Sequence, residues 1–311
     1  SSDFPIVGNV FQPTLDSLQE GVIIKMDNQL SSIIWSTFLG GRGMDAIYSL
    51  ALDDDNNIYV TGGTTSDDFP TSTNALHPNY LDSLKADGFV TYISKDGTQI
   101  ISSTYFGSDE YDQSYFVELD GAQNVYLFGQ TKATGNTLIY QANYNVPGGG
   151  EFISKLSPNL DALLKSTVVG ANTGKPNISP TAFLVDVCNK IYISGWGSNI
   201  GIGNAGTTFN LQTTPNAFQS TTDGNDFYLM VLDDNMSNLI YATYFGGNQA
   251  TEHVDGGTSR FDKKGIVYQC VCAGCGGFSD FPTTAGAVSN TNNSTASSQC
   301  NSAVFKFDFD F

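Results

Sequence analysis

The chain repeats itself, and that constrains its fold more than any single motif does. Trp35-Ser-Thr-Phe-Leu-Gly-Gly41 returns as Ser103-Thr-Tyr-Phe-Gly107, as Ser166-Thr-Val-Val-Gly170 and as Ala242-Thr-Tyr-Phe-Gly-Gly247. Asn57-Ile-Tyr-Val-Thr-Gly62 returns as Asn124-Val-Tyr-Leu-Phe-Gly129 and Lys190-Ile-Tyr-Ile-Ser-Gly195, and more loosely as Gly265-Ile-Val-Tyr-Gln-Cys270. Its tyrosines at 59, 126, 192 and 268 are 67, 66 and 76 residues apart. A third segment recurs at Val22–Lys25, Phe89–Tyr92, Phe152–Lys155, Phe227–Met230 and Val304–Phe307, and Asp-Phe-Pro stands at 3–5, 68–70 and 280–282.

Each piece is short, rich in β-branched and aromatic residues, and bounded by Gly, Asn or Asp, which is the pattern of strands; helical periodicity is absent. One period reads as strand A at Ala46–Leu52, B at Ile58–Gly62, C at Gly88–Ser94 and D at Ile100–Phe106. A four-stranded sheet cannot cover both of its apolar faces alone, whereas sheets stacked face to face around an axis can. The expected fold class is therefore all-β, a β-propeller of four-stranded antiparallel blades of about 65–75 residues. Residues 1–311 read as one propeller region, with a partial blade over 1–40, blades over 41–107, 108–170 and 171–247, and a partial blade over 248–311. The order C-D, three times A-B-C-D, then A-B-C gives 2 + 12 + 3 = 17 strands, so the chain is expected to be a window on a longer polypeptide or to close by irregular strand exchange.

Charge narrows the partners. Thirteen Lys and Arg against 31 Asp and Glu leave −18, which repels phosphate backbones and anionic lipid. Neither nucleic-acid binding nor membrane insertion is expected. Charged residues are only 14% of the chain while aromatics reach 12%, so a core is affordable and the surface is built from Thr, Ser, Asn and Gly, as in extracellular β-proteins.

The Ser-Thr-Phe-Leu-Gly-Gly, Asn-Ile-Tyr-Val-Thr-Gly-Gly-Thr, Asp-Phe-Pro-Thr and Asp-Gly-Phe-Val segments resemble the SBBP-type β-propeller repeat of large secreted bacterial proteins. The stretch from Asn225 to Phe309, with His253-Val-Asp-Gly-Gly-Thr-Ser-Arg-Phe-Asp262 and Cys272-Ala-Gly-Cys275, is similar to cell-surface proteins of Bacteroidota. The resemblance implies an extracellular, cell-surface location, export by the type IX system, and an association with gliding or adhesion. It implies no activity.

In a blade the D–A and B–C connections share one face. The B–C loops run roughly from 63 to 87, 130 to 150, 196 to 225 and 272 to 302, and loops this long in a compact domain are usually functional. The D–A loops supply the candidate ligand residues Arg42, Asp45, Asp109, Asp112, Glu252, His253 and Asp255. Glu252, His253 and Asp255 also suit general acid–base work and make a hydrolase the rival reading, but there is no nucleophile elbow and only five glutamates. No enzyme is expected. Asp53–Asn57 gathers oxygen ligands for calcium, yet Ile58 and Thr64 occupy the places where an EF-hand-like loop needs Gly and Glu, so a turn explains it and no cofactor is expected.

Cys270, Cys272, Cys275 and Cys300 resemble a four-thiolate site in spacing, but the second half lacks its own CxxC; a disulfide among Cys272, Cys275 and Cys300 pinning the last long loop is expected instead of a metal. Cys188 reads as a buried thiol or an interchain partner. Asp16-Ser17-Leu18 and Asp82-Ser83-Leu84 resemble the short O-glycosylation acceptor of Bacteroidota, at Ser17 and Ser83. Trp35 and Trp196 read as core. The expected function is a structural or adhesive module whose partners are other domains of the same long chain, a surface glycan or protein, or a second copy, with a carbohydrate-binding propeller as the alternative.

Overall fold

In the computed structural model the described residues are 3–81, 85–198, 206–254, 259–295 and 299–309. They form antiparallel sheets, and no helix among them is long and apolar enough to cross a membrane. β1 (Gly21–Met26) pairs with β2 (Ile33–Leu39). Three sequential four-stranded meanders follow. They are β3 (Asp45–Leu52), β4 (Ile58–Thr64), β5 (Asp87–Ile93) and β6 (Ile100–Phe106); then β7 (Asp112–Leu119), β8 (Val125–Thr131), β9 (Glu151–Leu156) and β10 (Leu163–Val169); then β11 (Ser179–Val185), β12 (Ile191–Trp196), β13 (Phe227–Leu232) and β14 (Leu239–Phe245). The last sheet holds β15 (Thr251–His253), β16 (Ser259–Phe261), β17 (Val267–Cys275) and β18 (Asn301–Phe307).

These are the A–D strands of the repeat, in the positions that the periodicity predicts, and the sheets are of the propeller-blade type. Two differences are informative. Strand A of the last sheet is in two pieces, β15 and β16, both paired to β17. Strand B of that sheet continues to Cys275, so Cys272 and Cys275 lie within the strand and do not follow it.

The chain divides into two compact units, residues 1–141 with 152–166, and residues 142–151 with 167–311. In the first, β3, β4 and β5 pack on β7. Ile23, Trp35, Leu39, Ile58, Val60, Phe69, Phe89, Ile93 and Tyr105 make a shared core there. In the second, Trp196, Phe227, Leu229, Phe245, Val267, Val271 and Phe305 do the same. Both tryptophans are core residues. β4, β8 and β12 are buried at every position, because a sheet covered on both faces needs continuous apolar strands. β3, by contrast, alternates after its first turn.

The recurrent strand-B glycine has a steric reason. β3 bulges between Ile47 and Ser49, and a Cβ on Gly62 would run into the Ala46 carbonyl there. The A–B turns explain the Asp53 cluster: Asp53 Oδ1 accepts the amides of Asp55 at 2.9 Å and Asn57 at 2.7 Å. Asp120, Asp186 and Asp262 accept the corresponding amides in their own turns. Cys188, in one of these turns, is exposed, which removes the buried-thiol reading of the two that the sequence offers.

Candidate functional site

At each D–A connection a polar residue opening strand A reaches back to an amide just past strand D. Asp45 accepts Gly41 N at 2.9 Å, Asp112 accepts Ser108 N at 2.6 Å, Asn177 accepts Ala171 N at 2.8 Å and Glu252 accepts Gly247 N at 3.1 Å. Asp45 takes further hydrogen bonds from the hydroxyls of Thr64 and Ser66. All four side chains are buried. The candidate ligand carboxylates Asp45, Asp112 and Glu252 therefore cap loops from inside the protein. Asp109 is exposed, and Asp255 lies outside the described residues.

A second acid opens each of the first four strands C. Glu20, Asp87, Glu151 and Asp226 stand in that position, the last three fully buried. Glu151 accepts the amides of Asn177 at 2.6 Å and Ile178 at 2.9 Å. The glycine that ends the Ser-Thr repeat sits against both groups: a Cβ on Gly170 would lie 2.7 Å from Asn177 Oδ1 and 2.7 Å from Glu151 Oε2. Gly246 is likewise set against Asp226 and Glu252. Burial raises the pKa of Glu151 to about 8 and that of Asp112 to about 6. In the Asp226–Glu252 pair burial raises both, opposed at Glu252 by the Gly247 amide and reinforced by the neighbouring carboxylate. Asp226 Oδ1 and Glu252 Oε2 are both buried without a hydrogen-bond partner. Burial therefore favours the protonated form of the pair.

Asp-Phe-Pro is the complementary cap. Asp68 accepts Arg42 N at 2.8 Å and the Arg42 guanidinium at 2.7 Å, and Asp280 accepts Asn248 N at 2.7 Å and Gln249 N at 2.8 Å. The following phenylalanine plugs the core: Phe69 lies 4.4 Å from Phe89, and Phe281 5.5 Å from Phe245. Arg42 thus turns back onto the B–C loop of its own blade.

The B–C loops do not stand free over one face. In the sheets β3–β6, β7–β10 and β11–β14 the loop runs along the outer edge of strand D, held by the repeated threonine. Thr104 Oγ1 accepts His77 N at 2.8 Å, Thr167 donates to Tyr144 O, and Thr243 Oγ1 accepts Gln219 N at 2.9 Å. Backbone bonds continue the contact: Tyr105 N to His77 O, Val146 N to Val168 O, and Tyr244 N to Gln219 O. Residues 7–12 line β2 in the same way, with Phe38 N donating to Gln12 O and Thr37 Oγ1 accepting Gln12 N. An edge strand is thereby covered. The threonine recurs in all four copies of the repeat, but its partners lie in the preceding loop, out of reach of a local sequence signal.

In the last sheet Cys275 and Cys300 form a disulfide. Cys272 Sγ lies 3.5 Å from Cys275 Sγ, and His253 Nδ1 lies 4.0 Å from it. Cys270 is exposed. His253 is buried at 7% exposure and its ring lies 5.8 Å from that of Trp196. Sequence reasoning placed His253 with Glu252 and not with the cysteines. Ser17 is half-buried and its hydroxyl donates to Gln19 O at 3.0 Å, while Ser83 lies outside the described residues.

Residues 34–70 match the family model for the β-propeller repeat, SBBP. No curated protein matches the chain. Among solved structures it is similar to the Pan2 WD40 domain of Neurospora crassa, at 12% identity and TM-score 0.36 over 78% of this chain and 53% of that one. It is also similar to BamB of Moraxella catarrhalis, at 11% identity and TM-score 0.33 over 86% of this chain and 69% of that one. The chain thus spans about half the length of the Pan2 chain it matches. The matched repeat residues contain β2, β3 and β4 together with the Asp68 cap.

Proposed function

We propose that this β-propeller repeat module is a non-enzymatic structural or adhesive part of a cell-surface protein, contacting a surface protein or glycan through its B–C loops. The observation that carries this reading is that the B–C loops are long and polar yet tied down, the first three along strand D and the last by Asn292 and the Cys275–Cys300 disulfide, with apolar side chains left exposed on them. Phe218 is 61% exposed and Val288 is fully exposed. A loop ordered in advance loses little conformational entropy on binding, and Ser, Thr and Asn lose less than Lys or Glu would. Exposed apolar groups on such a scaffold are contact points.

Catalysis by Glu252 and His253 finds little support, since both side chains are enclosed and Glu252 is engaged with the Gly247 amide. An extracellular location accords with the disulfide and with the low Lys and Glu content. The test is adhesion of beads carrying the chain to bacterial surfaces and to immobilised surface glycans. Phe218→Ser with Val288→Ser is expected to lower capture severalfold while leaving the far-UV circular dichroism unchanged. Capture that is unchanged in the folded double variant overturns the reading.

A further inference from the structure

His253 of β15, Cys272 and Cys275 of β17, and Cys300 just before β18 converge, and the pairing register explains why. His253 of β15 stands opposite Cys272 of β17, and Thr251 stands opposite Cys275. On the other side of β17, Cys272 pairs with Ser302 and Ala273 with Asn301, which puts Cys300 beside the end of the same strand. The ligand atoms of His253, Cys272 and Cys275 all lie within 4.8 Å of one another. Cys300 is bonded to Cys275, so its sulfur is at the same place.

We propose that in its reduced form this cluster is a tetrahedral three-cysteine, one-histidine site for a zinc-type divalent cation. Tetrahedral coordination with metal–sulfur bonds of about 2.3 Å and a metal–nitrogen bond of about 2.0 Å sets sulfur–sulfur separations near ~3.8 Å and sulfur–nitrogen separations near ~3.6 Å. The Cys272–Cys275 separation of 3.5 Å falls about 0.3 Å short of the first value, and the Cys275–His253 separation of 4.0 Å exceeds the second by about 0.4 Å. Two glycines bend the chain where β17 ends at Cys275. Gly274 has φ +66° and Gly276 φ +91°, left-handed positions that let the chain fold both sulfurs toward one point.

Hydrogen bonds hold this turn in addition to the disulfide. Gly277 N donates to Gly274 O at 3.1 Å and to Gln299 O at 3.2 Å. Asn292 Nδ2 donates to Gly274 O and to Gln299 O, both at 2.7 Å. Residue 299 is therefore clamped to the turn by side-chain and backbone bonds, and Cys300 follows it directly. The Trp196 ring lies beside His253 on one side of the site, and Cys272 on the other is half-buried.

Disulfide and metal are alternative fates of the same atoms. A dithiol reductant breaks the Cys275–Cys300 bond, transferring two electrons and two protons to give two thiols, and closes to its own disulfide. The cation then displaces the thiol protons of Cys272, Cys275 and Cys300 and takes the lone pair of neutral His253 Nδ1, releasing three protons in all.

The test uses the full chain, reduced with a dithiol, freed of reductant anaerobically and titrated with Co²⁺ and then Zn²⁺. The expected result is saturable uptake of one ion per chain, with the thiolate-to-cobalt charge-transfer bands of tetrahedral coordination, abolished when Zn²⁺ displaces the cobalt. The oxidised chain is expected not to form these bands. Cys272→Ser, Cys300→Ser and His253→Ala should each weaken uptake by more than the roughly 10–100-fold that loss of an outer-shell partner costs, while Cys270→Ser and Cys188→Ser leave it unchanged. Where Cys272→Ser fails to fold by circular dichroism, Cys272→His, which keeps a ligand, must bind one ion. Absence of stoichiometric uptake by the reduced chain, or bands that persist in folded His253→Ala and Cys272→Ser, overturns the proposal. So does dependence on Cys270 or Cys188.

Discussion

The Thr104 hydroxyl accepts the amide of His77 at 2.8 Å across 27 residues of sequence, tying the middle of a long loop to the edge of β6. Thr104→Val keeps the shape and removes the acceptor. It is expected to destabilise the chain by about 1–2 kcal/mol and to speed exchange of the His77 amide more than that of Tyr105. Denaturant melts together with site-resolved hydrogen exchange check this. Equal acceleration at every amide of the blade would mean that the threonine serves the whole sheet and not the loop.

How much of this was legible beforehand follows from range. Strands B and D could be read because their signals are local: Ile100–Phe106 is a run of β-formers between a turn and a glycine, and its bounds match β6. The role of Thr104 was not legible, since nothing in a Ser-Thr pair says which loop it will hold. His253 was misleading for the same reason. It sits beside Glu252 in sequence, but the pairing of β15 with β17 delivers it to Cys272. The available signal was that a residue near the start of strand A faces the end of strand B in any meander.

Gly170 has φ +122° and faces Asn177 and Glu151. A methyl group there strains the backbone and intrudes on two polar groups that have no room to retreat, so Gly170→Ala is expected to cost about 1–3 kcal/mol. Gly121 has open space around its Cβ direction, and Gly121→Ala should be close to neutral. Thermal melts of the two variants side by side are the check, and equal losses would remove the steric account.

Asp68 serves the Arg42 amide and guanidinium together, which holds its carboxyl below the usual range. The Arg42 side chain is 76% exposed, so the ion pair itself contributes little. Arg42→Ala is expected to cost under about 0.5 kcal/mol, whereas Asp68→Ala, which also orphans a loop amide, should cost about 1–2 kcal/mol. Raising the salt concentration should take the Arg42→Ala loss toward zero and trim the Asp68→Ala loss only by the same small amount. If the two variants were equally destabilised, the guanidinium contact would be the important one.

Glu151 sets a pH dependence whose sign can be worked out. Burial lifts its pKa from 4.5 to about 8, against the pull of the Ile178 and Asn177 amides, so the folded chain holds a proton that the unfolded chain has released across that window. Stability from this group is fully present below pH 4.5 and is lost as the pH rises through about 8. Glu151→Gln keeps an oxygen for the two amides and carries permanent N–H donors where the acid needs its proton. The melting temperature of the natural chain should therefore fall relative to that of Glu151→Gln between about pH 5 and about pH 8, with the two curves converging toward the acid end. Parallel curves over that range would show that Glu151 is ionised in the folded chain, its charge met by the two amides alone.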